Sequence, residues 1–221
     1  MEKVLLHTPE GVRDVYGKEC AVKLTIENSI IKVFNIYGYH NIQTPTFEFF
    51  DIFSKERGSV ASKNLYKFFD REGNTLVLRP DVTPSIARLV AKYYMDVKVP
   101  VKLCYNANTY INNSELQGKL KENTQLGCEL INDDSVEADA EILALVVDSL
   151  KAAGLKEFLV EIGHADFYKG LLEECGFDTE NEQELRKRIE NKNYFGVEEI
   201  LDNNNITGQL KEAFLKLPEL F

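Results

Sequence analysis

Two runs, "PVKLCYNANTYI" from Pro100 and "NTQLGCELIN" from Asn123, do most to limit how this chain can fold. Both are strand-like, and the loop between them, "NNSELQGKLKE", is polar and contains a glycine. A chain that doubles back over so short a return pairs its strands antiparallel. A second hairpin is expected at "LYKFFDREGNTLVLR", which alternates around a Gly-Asn turn. The stretch "NIQTPTFEFFDIF" reads as a short extended piece interrupted by Pro45, and "KEFLVEIG" as a further strand.

Helical spacing of Val22, Ile26, Ile30, Val33, Phe34 and Tyr37, with Gly38 as a stop, predicts a helix over 17–37. Thr83 before Pro84 opens another, running to about Tyr94 with Ile86, Ala87, Leu89, Val90 and Tyr93 on its apolar face. Asp134 and Glu137 form a capping box for a helix carrying Val136, Ala140, Leu143, Val147 and Leu150. From Ala165 onward the chain reads as helical, divided by turns near Asp178 to Gln183 and Asn203 to Asn205. Strands clustered between Leu65 and Ile131, with helices around them, predict an α+β fold built on an antiparallel sheet. The expected domains are 1–163 and a helical segment over 164–221. The apolar end "LPELF" suggests that more sequence follows.

Charge excludes some functions. The net charge of −10 over 221 residues carries no basic stripe, so a broad nucleic-acid surface is not expected. Cys20, Cys104, Cys128 and Cys175 are far apart and form no C-x-x-C pair, and His7, His40 and His164 are equally scattered. Neither metal nor redox chemistry is implied. The start lacks a signal-peptide pattern, and no run approaches the roughly 18 apolar residues of a membrane span. A reducing cytoplasmic setting is the expectation.

Alternation along "TQLGCELI" puts Gln125, Gly127 and Glu129 on one face and Leu126, Cys128 and Leu130 on the other. The second face is core. The first sets an amide and a carboxylate around a glycine, which leaves space over the sheet. Alone, it reads as a solvated face with a packing glycine. In "LRPDVTPSIAR", Asp81 or Thr83 alone reads as an N-cap. Together, Asp81, Thr83, Gln125 and Glu129 supply acceptors suited to one cationic amino group.

"TPEGVRDVYGKE…YGYHNIQTPTFE", "FFDREGNTLVLRPDVTPSIAR" and "LCYNANTYI…TQLGCELI" resemble, in order, the catalytic domain of histidyl-tRNA synthetase, a class II aminoacyl-tRNA synthetase. The resemblance covers about residues 8–131. It implies the class II antiparallel sheet flanked by helices, and a homodimer made through the first motif, which ends near Pro45 and Glu48. It implies histidine binding by Asp81, Thr83, Gln125 and Glu129. The helices after Ala165 resemble the family's helical insertion.

One departure is decisive. Where the family's second motif carries an aromatic, an arginine and a glutamate–arginine pair, this chain has Tyr110, Ile111, Asn112, Asn113 and Ser114. Amino-acid activation needs a guanidinium on the α-phosphate as pyrophosphate leaves, and losing such a contact costs on the order of a thousandfold in rate. No catalytic residue, cofactor or metal is therefore expected. The Asp81-Val82-Thr83-Pro84 run and "GHADFYKGLL" resemble instead the synthetase-like regulatory subunits of ATP phosphoribosyltransferase. That group implies a short-form catalytic chain as partner, histidine as effector, and a role in the first step of histidine biosynthesis. A synthetase fragment, or a pseudo-synthetase domain sensing tRNA, is the alternative. For His164, packing or capping is the simpler role.

Overall fold

In the computed structural model, residues 6–54, 60–113, 118–163 and 165–217 are described. His164, Ser114 and the terminal Pro218 to Phe221 lie outside them. Contacts divide the chain into two compact units, Met1–Phe158 and Leu159–Phe221.

The first unit is an α+β unit with two sheets, each of three strands. The paired runs form β5 (Val101–Tyr110) and β6 (Glu122–Ile131), antiparallel from Val101↔Ile131 to Tyr110↔Glu122. The short β1 (His40–Asn41) lies parallel on the other edge of β5, an exception to the antiparallel expectation. The second sheet holds β2 (Phe47–Phe49), β3 (Lys67–Phe69) and β4 (Thr75–Leu78) in the order β2-β4-β3, all antiparallel. The β3–β4 turn is closed by Asp70, which accepts from the Asn74 backbone and side chain, both at 2.8 Å.

Helices cover both faces of the larger sheet. On one side, α1 (Gly17–Ile36) and α4 (Val136–Ala152) bury Phe34, Tyr39, Cys104 and Leu145, with Leu126, Cys128 and Leu130 beside them. On the other, α3 (Thr83–Tyr93) buries Val82 and Ile86 against Val101, Leu103 and Tyr105. The short α2 (Asp51–Ser54) contributes Phe53 to a core shared with Leu65 and Val77. A polar fastening joins the helices to the sheet edge. Lys102 pairs with Glu141 at 2.7 Å, and the Tyr39 hydroxyl donates to Glu141 at 3.1 Å. The second unit comprises α5 (Ala165–Cys175), α6 (Thr179–Glu190), α7 (Tyr194–Asn203) and α8 (Gly208–Lys216), closed around Leu185, Val197, Leu201 and Phe214.

Four local expectations fail, each for a physical reason. "KEFLVEIG" forms no strand: its residues have no ladder partner among those described, and Leu159 and Ile162 are 81% and 71% exposed. A strand exists only where its backbone groups are paired. The cap of α4 is Ser135, whose Oγ accepts from the Ala138 N–H at 3.2 Å, and not Asp134. Asp133 takes the Ser135 N–H and hydroxyl, which fixes that register. Residues 179–183 are the first turn of α6, because Asp178 is its N-cap and accepts from the Asn181 N–H at 2.9 Å. Finally, the apolar stripe of α1 is covered only toward its C-terminal end. Val22 is 57% exposed.

Leu145 is almost fully buried between α1 and the sheet. Leu145→Ala should cost about 2–5 kcal/mol in denaturant unfolding, while Val22→Ala, on the uncovered half of α1, should change stability by under about 0.5 kcal/mol.

Candidate functional site

The Arg79–Thr83 connection carries the chain from β4 into α3 at the face of the larger sheet opposite α4. Asp81 Oδ1 accepts from the Val82 N–H at 2.7 Å and from Gln125 Nε2 at 3.1 Å. Thr83 is the first residue of α3, with Pro84 following. Its hydroxyl does not cap the helix; it donates to Glu129 Oε1 at 2.7 Å. The four sequence-marked residues are thus brought together as two cross-linked pairs, Asp81 with Gln125 and Thr83 with Glu129. The expected alternation of β6 holds, since Leu126, Cys128 and Leu130 pack on the α1–α4 side.

Sequence reasoning missed Tyr105. The register sets it opposite Gly127, and it is 5% exposed. A Cβ built on Gly127 would lie 2.4 Å from the Tyr105 Oη and 2.5 Å from Cζ, so the glycine makes room for this phenol. Glu129 and Asp81 raise the proton affinity of this phenol, and Thr83 lowers it. Thr83 has one hydroxyl proton and gives it to Glu129. The signal available in sequence was the Tyr-Asn-Ala run two residues out from Leu103, readable only with the cross-strand register known.

Electrostatically the shelf is acidic and open. Asp81, Gln125 and Glu129 are half-buried and Thr83 is exposed. Burial pushes the Glu129 carboxyl above its ordinary 4.5, Asp81 adds repulsion, and the Thr83 hydrogen bond offsets part of this. Burial raises the Tyr105 phenol to about 12, so it stays a donor at neutral pH. Two carboxylates, an amide and two hydroxyls can hold an ammonium, which would relieve the repulsion. Among the described residues no cluster of His, Cys, Asp or Glu fits a metal ion.

Ile111 N–H donates to Lys121 O at 2.9 Å and Asn112 N–H to Asn64 O at 2.9 Å. Carrying the alternation one residue past β5 puts Ile111 on the same face as Thr109 and Tyr105. Lys121 is tied in by its N–H to Gly11 O at 2.6 Å, and its stem lies over Gly11. A Cβ on Gly11, at φ +81°, would meet Lys121 Cγ at 2.6 Å. A separate apolar hollow of about 380 Å³ lies within the second unit beside Tyr168, Leu172 and Ile189. Its Arg186 is already paired with Glu190 at 2.9 Å, and it gathers none of the residues marked by sequence.

Because the folded state holds Glu129 with a raised pKa, it binds more protons there than the unfolded chain does. The stability tied to that proton is present below 4.5 and is lost as pH rises through the folded value. Glu129→Gln should remove this slope. In urea unfolding, the variant should gain on the wild type from pH 4.5 upward and keep the gain at pH 7. Gly127→Ala should instead lose about 1–3 kcal/mol, because the buried Tyr105 ring cannot give way without repacking.

The histidyl-tRNA synthetase family pattern matches residues 11–221. The ATP phosphoribosyltransferase regulatory subunit of Ruminiclostridium cellulolyticum is 45% identical over 221 residues, covering 100% of this chain and 53% of that protein. Its counterpart in Acetivibrio thermocellus is 42% identical over 216 residues, covering 98% and 52%. The chain spans about half the length of the curated relatives it matches. An ATP phosphoribosyltransferase regulatory subunit/histidyl-tRNA synthetase from Bacillus halodurans superposes with a TM-score of 0.85 at 37% identity, covering 96% of this chain and 55% of that one. Fold, motif order and the match over residues 11–221 agree: the chain belongs to the histidyl-tRNA synthetase family.

Proposed function

We propose that this chain belongs to a non-catalytic regulatory subunit of ATP phosphoribosyltransferase, the enzyme of the first step of histidine biosynthesis. In this reading it recognises histidine and passes that state to a short-form catalytic partner. One observation carries it. The acceptor shelf of Asp81, Thr83, Gln125 and Glu129 is assembled, while the position that by the family resemblance should carry a guanidinium is Ile111. An ammonium gains charge-assisted hydrogen bonds on that shelf. A triphosphate meets an aliphatic side chain at that position. Binding without chemistry is what a sensor requires.

Assembly follows from the same surface logic. Val22, Leu24, Phe47 and Phe49 are 51–57% exposed on α1 and β2, within the stretch of the first motif. A second copy of this chain covering them fits the family's use of that motif. The four free thiols suit a reducing cytoplasm. The acidic balance of −10 argues against the tRNA-sensing alternative.

The direct test adds the full-length gene product to a short-form catalytic chain and follows phosphoribosyl-ATP formation. The rate should rise and become sensitive to histidine, and Glu129→Gln should raise the half-inhibitory histidine concentration roughly five- to hundredfold. An unchanged rate, with no histidine response, would remove the reading.

A further inference from the structure

Arg79 is a buried cation with neutral neighbours. It is 6% exposed. Its Nε donates to Asn108 O at 2.8 Å, and its Nη1 to Thr44 O at 2.9 Å, Pro45 O at 3.1 Å and Thr44 Oγ1 at 3.3 Å. Each of these acceptors is a carbonyl or a hydroxyl. Nη2, with two protons, has no acceptor among the described residues. Beyond them the Tyr110 phenol and then Glu48 favour its charge, and Glu48 Oε1 already accepts from Arg88 Nε at 3.0 Å and Nη2 at 2.7 Å. Arg79, Arg88 and Glu48 together carry one net positive charge. Burying a charge without a counter-charge is costly, and carbonyl dipoles offset only part of that cost.

Beside this guanidinium the fold leaves a cavity of about 220 Å³, lined in part by Gln43, Thr44, Thr46, Arg79 and Tyr105. Its origin is topological. The β1–β5 ladder ends at Asn41↔Cys104, with one more bond from Ile42 N–H to Cys104 O. The chain then lifts off the β5 edge until Thr46 O accepts from the Arg79 N–H at 3.0 Å. Between those two anchors, the edge at Asn106 is left facing the gap. The walls therefore offer hydroxyls, an amide and a free guanidinium edge, a set made for accepting negative charge. The volume is below the roughly 300 Å³ at which drug-sized ligand pockets begin, so it excludes a nucleotide and admits a small anion.

We infer that this cavity is a binding site for a small oxyanion, a carboxylate or a phosphate, held by Arg79 Nη2 with Thr46 and Gln43 alongside. It meets the acceptor shelf at Tyr105 but presents the opposite charge, and it does not rest on the regulatory reading. Water can satisfy Nη2 but cannot neutralise it; an oxyanion does both. Occupancy would pin the 42–46 segment to the β5 edge and stiffen Arg79, two residues before Asp81.

The test is thermal unfolding of the full-length protein at fixed ionic strength, titrated separately with inorganic phosphate, acetate and chloride. Phosphate or acetate should raise the midpoint saturably, as a ligand of the native state does, and whichever saturates identifies the oxyanion. Thr46→Val should weaken the apparent affinity about tenfold while leaving the anion-free midpoint close to that of the wild type. Arg79→Lys should abolish saturation, but its loss of carbonyl contacts can unfold the protein, so Thr46→Val is the deciding variant. Equal, non-saturating shifts with all three salts would overturn the inference. So would an oxyanion response unaltered by Thr46→Val.

Discussion

The register of β5 against β6 decides which side chains share a surface. Leu103 meets Glu129, Tyr105 meets Gly127 and Ala107 meets Gln125, and Leu103, Tyr105 and Ala107 pack on the α3 side. Slipping the pairing by one residue would send Glu129 and Gln125 into the Phe34–Leu145 core and bring Cys128 and Leu130 to the surface. The Tyr105–Gly127 pair holds this register. Only a glycine admits the phenol at that point. The same strand bears Asn108 O, which fixes Arg79, and through it the entry to α3 that carries Asp81 and Thr83.

Charge is then arranged with opposite signs on two sides of one short connection. On the shelf, burial first and the nearby Asp81 carboxylate second make Glu129 hold its proton more tightly than usual. Two residues upstream, Arg79 leaves the β5 edge short of an anion. Neither imbalance helps the empty protein. On the two proposals made above, each is relieved by a ligand of the right sign.

Much of this was legible in the sequence because strand alternation has period two and needs no tertiary knowledge. The faces of β6, the β3–β4 hairpin and the grouping of the acceptors with β6 came from pattern and resemblance. Tyr105 did not, since its role arises from the residue across the ladder. The expected strand at "KEFLVEIG" failed for the opposite reason: its local pattern was right, but pairing is a property of two segments. The Asp134 cap missed by one residue because Asp133, Asp134 and Ser135 are all good cap formers, and only the Asp133–Ser135 hydrogen bonds decide among them. In α1, helical spacing located the apolar stripe but could not tell that its N-terminal half stays uncovered.

The central claim is that this fold keeps the amino-acid half of a synthetase site without the means to activate what it binds. Histidine-dependent exchange of pyrophosphate into ATP, run on the full-length gene product, measures that claim most directly. The account predicts no exchange above background, whatever the histidine concentration. Turnover at about one per second, the rate of an ordinary enzyme, would contradict it and mean that Lys121 or another cation supplies the grip that Ile111 lacks.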